Sequence, residues 1–129
     1  IESDLITLSM PSLQMINGGF SLRQTTSLTE FDLTGLTAIN GRLRPDTISP
    51  EIDASIDIFL NDSLQSLNGL SRLTTLGSNI DVTSNSVLND ISGLQNVVNL
   101  PDPFTADFNN NNITGQDCEE LPFPVGICN

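Results

Sequence analysis

The chain has 129 residues and a net charge of −12, from 16 acids against four arginines, with no lysine and no histidine. That balance excludes a binder of phosphate backbones or anionic membranes, which needs clustered cations, and the missing histidine excludes a nucleophile–histidine pair. Tryptophan and tyrosine are absent, which argues against recognition by aromatic stacking. The length fits one domain, 1–129, and Asn, Ser and Thr make up 40 residues, a composition suited to many exposed corners.

Residues 1–4 read as an acidic lead-in. Leu5, Leu8 and Met10 are expected to point inward or along an edge, with Leu13 and Ile16 on a short strand. Asn17-Gly18-Gly19 turns the chain, because Gly adopts positive φ freely and Asn tolerates it. Phe20 and Leu22 follow on a strand that Thr25 closes. A second unit starts at Leu28 and reaches a turn at Asn40-Gly41. Residues 42–55 (RLRPDTISPEIDAS) then interrupt the pattern with two arginines, two prolines and three acids. This segment is expected to leave the body as a loop, either functional or merely filling an interface. Its candidate interaction residues are Arg42, Arg44, Asp46, Glu51 and Asp53.

The stretch Ser63 to Asn85 (SLQSLNGLSRLTTLGSNIDVTSN) carries Leu64, Leu67, Leu70, Leu73, Leu76, Ile80 and Val82. Helices alternate steps of three and four, and strands step by two; a run of threes is neither. A chain that turns a corner every few residues has this rhythm. It recurs: Phe20/Leu22, Ile56/Ile58, Ile80/Val82 and Phe104/Ala106 form equivalent pairs. Thr25, Asn61, Asn85 and Asn109 close the units, and Leu28, Leu64 and Leu88 open the next ones. The step is about 24 residues, with one unit lengthened by the 42–55 insertion, the mark of a repeat architecture. A fourth unit runs from Val87 to Asn109, through Leu88, Ile91, Leu94, Val97 and Leu100, and its last strand holds Phe104, Ala106 and Phe108. Asn61, Asn85 and Asn109 are expected to stack as an internal ladder satisfying turn backbone groups.

SLQSLNGLSRLTTLGSNIDVTSN resembles the leucine-rich units of the receptor L-domain group, L-x-x-L-x-G-L-x-x-L-x-x-I-G-x-x-I-x-I-x-x-N. Leu5 to Leu22 (LITLSMPSLQMINGGFSL) is similar to the variant of fungal cell-wall proteins and receptor ectodomains. The likeness covers about residues 4–109 and concerns core and turn positions, so it carries over no ligand site. Repeat and resemblance together imply a mainly β fold: a right-handed parallel β-helix or leucine-rich-repeat-like solenoid of about four to five coils. Coils span 5–109 and a disulfide-closed cap spans 110–129.

Cys118 and Cys128 lie close together near the end and are expected to pair, placing the protein in an oxidising, extracellular setting. Ile1 is not a start methionine, so the chain is expected to be processed or cut from a larger one, and to be secreted with its signal peptide already removed. Asn61-Asp62-Ser63 and Asn112-Ile113-Thr114 are N-glycosylation sequons; an inward ladder role conflicts with a glycan on Asn61, which favours Asn112.

A hydrolase of the parallel β-helix type needs two carboxylates facing across a cleft, and Asp46, Glu51, Asp53 and Asp57 show no such pairing. Asp and Asn in turns suit calcium, but no EF-hand or nonapeptide calcium repeat is present, so neither metal nor cofactor is assigned. The expected function is therefore non-enzymatic: an extracellular structural or adhesion protein acting by protein–protein association, including with itself head to tail through the solenoid ends. The alternative is a ligand-recognition module of a cell-surface receptor or cell-wall protein. Nucleic-acid partners and membrane insertion are not expected.

Overall fold

The computed structural model describes residues 4–41 and 54–129. The interrupting arginines and acids Arg42, Arg44, Asp46, Glu51 and Asp53 lie outside the described residues. Among the described residues the chain is mainly β, with parallel strands in two sheets. β1 (Met15–Ile16), β3 (Ala38–Ile39) and β5 (Thr75–Leu76) form one sheet in that order. The other has the order β2 (Phe20–Arg23), β4 (Ala54–Phe59), β6 (Asn79–Thr83), β7 (Ala106–Phe108), β8 (Ile127–Cys128). The chain alternates between the sheets over its first six strands, so among these each strand pairs with the one two further along the chain.

Register follows the alternation of side chains. Phe20 pairs with Ile56 and Ile56 with Ile80; Leu22 pairs with Ile58 and Ile58 with Val82. These point inward and are buried, while Ser21, Asp57 and Asp81 between them point out, as a period of two requires. The next pairing departs from the expected column: Ile80 lies beside Ala106, not Phe104. Thr75 still pairs with Asn99, so the unit lengthens in between, at Leu100–Thr105, where Pro101 and Pro103 supply no backbone N–H for a ladder. Phe104 instead packs edge-on against Phe123, with ring centroids 5.5 Å apart. The interruption also ends earlier than position 55: β4 starts at Ala54, and Ser55 is buried.

The inner ladder is present with one member changed. Asn61 donates from its backbone N and Nδ2 to Asn85 Oδ1 at 3.0 and 2.9 Å. Asn85 does the same to Asn111 Oδ1 at 3.1 and 3.0 Å. The closing residue is thus Asn111, not Asn109, because the longer unit shifts every later position. Each Nδ2 also donates to a carbonyl of the preceding unit: Asn61 to Leu22, Asn85 to Ile58, Asn111 to Val82. Thr25 ends the ladder, donating from N and Oγ1 to Asn61 Oδ1. Before every ladder residue stands a residue with left-handed φ: Gln24 at 55°, Leu60 at 54°, Ser84 at 58° and Asn110 at 57°. That single reversal turns the ladder side chain inward.

Leu28, Leu64 and Leu88 are fully buried, as are Leu67, Leu70 and Leu73. Short 3₁₀ turns at Asn68–Leu70 and Ser92–Leu94 set these steps of three, since a 3₁₀ turn returns to the same face after three residues. Gly77 allows a close crossing: a Cβ there would lie 1.8 Å from the Asn40 carbonyl oxygen.

At the carboxyl-terminal end Ile113, Cys118, Leu121 and Phe123 are buried over the last unit. Helix α1 (Gly115–Glu119) starts at a capping box, with Asp117 N donating to Thr114 Oγ1 and Thr114 N to an Asp117 carboxylate oxygen. The Cys118–Cys128 disulfide ties α1 to β8, as expected; closing a loop of this size contributes about 2–3 kcal/mol.

Candidate interaction surfaces

Three surfaces stand out on this frame. The first is the outer face of the five-stranded sheet. Asp57, Asp81 and Asp107 are paired in register on adjacent strands and form an outward file. Asp57 Oδ2 accepts from Arg23 Nε at 2.6 Å and from Ser21 Oγ at 3.0 Å, and the Arg23 guanidinium lies 5.5 Å from the Phe59 ring centroid. Asp107 Oδ1 accepts from Ile127 N, fixing the last strand. Asp81 sits between the other two acids: loss of water by partial burial and the Asp57 charge raise its carboxyl above the usual range, with Asp107 adding to the effect. The file was legible in the strands themselves, each of which places an Asp between two inward apolar residues: Ile56-Asp57-Ile58, Ile80-Asp81-Val82, Ala106-Asp107-Phe108. The acids stand side by side, not across a cleft. Among the described residues no group of three or more His, Cys, Asp or Glu is disposed to hold a metal ion.

A second polar line follows the turns between the sheets. Asp32 Oδ1 accepts from Thr34 N and Oγ1, and Asp90 Oδ1 from Ser92 N and Oγ. Hydrogen bonds to the ionised form hold both carboxyls below the usual range,. Asn68 Nδ2 donates to Asp90 Oδ2 and Ser92 Oγ to Asn68 Oδ1, tying neighbouring units together. An open depression is lined by Thr75, Leu76 and Gly77 on one side and by Val98, Asn99, Leu100 and Pro101 on the other.

The third surface is the amino-terminal end. Among the described residues β1 and β2 are each an outer strand of their sheet, as β5 and β8 are on the opposite side. Met10, expected inward or at an edge, is 41% exposed; Ile6 is 74% and Met15 53% exposed. Leu5, Leu8, Leu13 and Ile16 are only partly buried. Equivalent positions one unit later, such as Leu28 and Ile39, are fully buried. Sequence periodicity alone does not separate these cases, since an end unit carries the same apolar pattern as an internal one.

The two sequon asparagines are placed very differently. Asn61 is 0% exposed and its Nδ2 is held by Leu22 O and Asn85 Oδ1, so the folded chain has no room for a glycan there. Asn112 is exposed. Comparison with protein-family models, with curated proteins and with solved structures finds no match to this chain. Among the described residues no helix is long and apolar enough to cross a membrane.

Proposed function

We propose that the chain is a right-handed parallel solenoid of the kind its receptor L-domain-like repeats imply, and that it acts outside the cell as a non-enzymatic structural or adhesion protein. It works by protein–protein association through its amino-terminal end. The observation that carries this reading is the inequality of the two ends. At the carboxyl-terminal side α1, the disulfide and buried Leu121 and Phe123 pack over the last unit, although β8 is an outer strand and Ile127 is exposed, whereas the amino-terminal unit leaves Ile6, Met10 and Met15 exposed beside the outer strands β1 and β2. Natural proteins rarely leave such edges uncovered, and terminal repeats ordinarily carry a polar cap. The disulfide supports the extracellular setting.

Head-to-tail growth into a filament needs two open ends, one for each face of a heterologous contact. Because α1 packs over much of the carboxyl-terminal unit, the form of association proposed here is a closed pair joined at the amino-terminal ends. Sedimentation velocity over a wide concentration range tests this. A reversible dimer that strengthens with salt is expected, because 12 net negative charges per chain repel until screened,. Met15→Asp is expected to weaken it at least tenfold. A monomer at all concentrations, or a dimer indifferent to Met15→Asp, overturns the reading.

The alternative, a ligand-recognition module, draws support from the regular Asp57–Asp81–Asp107 face and from the interrupting segment with Arg42 and Arg44. Deleting residues 42–53 separates the two readings: association through the amino-terminal end survives it, whereas recognition through that segment is lost.

A further inference from the structure

We infer that Asn112 is an N-glycosylation site and that the second sequon asparagine, Asn61, stays unmodified. Both lie in Asn-x-Ser/Thr sequences, which by themselves say only that modification is possible. The fold separates them. Asn61 Nδ2, the atom a glycan would occupy, donates to Leu22 O at 3.0 Å and to Asn85 Oδ1 at 2.9 Å in a fully buried position. A sugar there takes away one of the two Nδ2 hydrogens and has no volume to enter, so a chain glycosylated at Asn61 does not complete the ladder. Asn112 stands one residue beyond the ladder, between buried Asn111 and buried Ile113, with its own side chain exposed. Its backbone N donates to Leu88 O, which fixes the main chain. Among the described residues its side chain has no hydrogen-bond partner, so a glycan displaces nothing.

The reaction needs an oligosaccharide carried on a lipid pyrophosphate and the membrane-bound transferase of a secretory pathway. Asn112 Nδ2 forms a bond to the anomeric carbon while the bond from that carbon to the pyrophosphate oxygen breaks. The lipid pyrophosphate leaves with the electron pair, and one amide proton passes to a base of the transferase. In the folded chain the Thr114 hydroxyl is engaged with Asp117 in the helix capping box, and Cys128 Sγ lies 3.4 Å from the Thr114 carbonyl oxygen. Reading the sequon therefore needs only the local Thr114–Asp117 contact to open, which leaves the ladder and its buried Asn61 intact.

The test is secretion of the full chain from a eukaryotic host, followed by enzymatic deglycosylation and peptide mass spectrometry. Expected are a glycan on most copies at Asn112, none at Asn61, and loss of the mobility shift in Asn112→Gln with unchanged thermal stability. Thr114→Ser keeps both sequon and cap and is expected to remain glycosylated. The Cys118→Ser/Cys128→Ser variant, which loosens the cap, is expected to equal or exceed the wild-type occupancy. Secreted protein bare at Asn112, or carrying a glycan at Asn61, overturns the inference.

Discussion

Asn85 is the residue on which most of the interior polar network converges. Its Oδ1 accepts two hydrogen bonds from Asn61, and its Nδ2 reaches Ile58 O, Thr83 O and Asn111 Oδ1. Each buried group left unpaired costs about 1–3 kcal/mol, so Asn85→Ala is expected to lower unfolding free energy by about 3–5 kcal/mol in urea titration. Thr25→Val, at the ladder's end, removes one donor from an oxygen that keeps its bond to Thr25 N, and about 1 kcal/mol is expected. Equal losses at the two positions would show that the ladder is not a chain of dependent bonds. Leu60 gives a prediction of opposite sign. An L-residue at left-handed φ costs about 1–2 kcal/mol, less for Asn, and the Leu60 side chain is partly exposed. Leu60→Asn is expected to stabilise by about 0.5–1 kcal/mol; destabilisation in the same titration contradicts the backbone assignment.

Among the elements, the strands of the five-stranded sheet carry most of what was legible in sequence. The pairs Phe20/Leu22, Ile56/Ile58 and Ile80/Val82 were readable because alternation and a constant step act together. The fourth pair was misplaced by two residues, since Phe104/Ala106 sits at the expected spacing, whereas the strand seats Ala106/Phe108 in those places. Prolines 101 and 103 were the available signal that a ladder could not run through that stretch. The same slip placed the ladder at Asn109 within a run of four asparagines, among which composition cannot choose. The aspartate file was present in the strands but is invisible to a search for catalytic pairs, because it is a property of stacking. It makes a pH prediction. Asp81's folded-state carboxyl is raised, so its ionised form opposes folding above that value, and the penalty fades as pH falls through it,. Asp81→Asn is expected to stabilise at pH 7 by about 0.3–1 kcal/mol, the modest size reflecting its solvent contact, and to have no effect near pH 3. Asp90 runs the other way: its lowered carboxyl contributes stability above the ordinary carboxylate range, lost as pH falls through the folded-state value,. Thermal melts of Asp81→Asn across pH decide the first case; a benefit that grows in acid contradicts it.

At the level of the whole molecule, the two ends differ although the inner units share one pattern of buried leucines and ladder residues. A stack of units buries each unit's apolar side against the next and leaves the last one on either side without a neighbour. The carboxyl-terminal side meets that need within the chain, through Ile113, Cys118, Leu121 and Phe123. The amino-terminal side ends its polar ladder cleanly at Thr25, which has no amide donor seeking a further unit, yet leaves Ile6, Met10 and Met15 in solvent. The proposed association places its contact at this exposed apolar side. The most direct test is backbone hydrogen exchange measured at low and high protein concentration. Slower exchange with concentration is expected at Met15–Ile16 and Phe20–Arg23, with α1 and β8 unchanged. Exchange independent of concentration at the amino-terminal strands, or protection gained at the carboxyl-terminal cap instead, would contradict it.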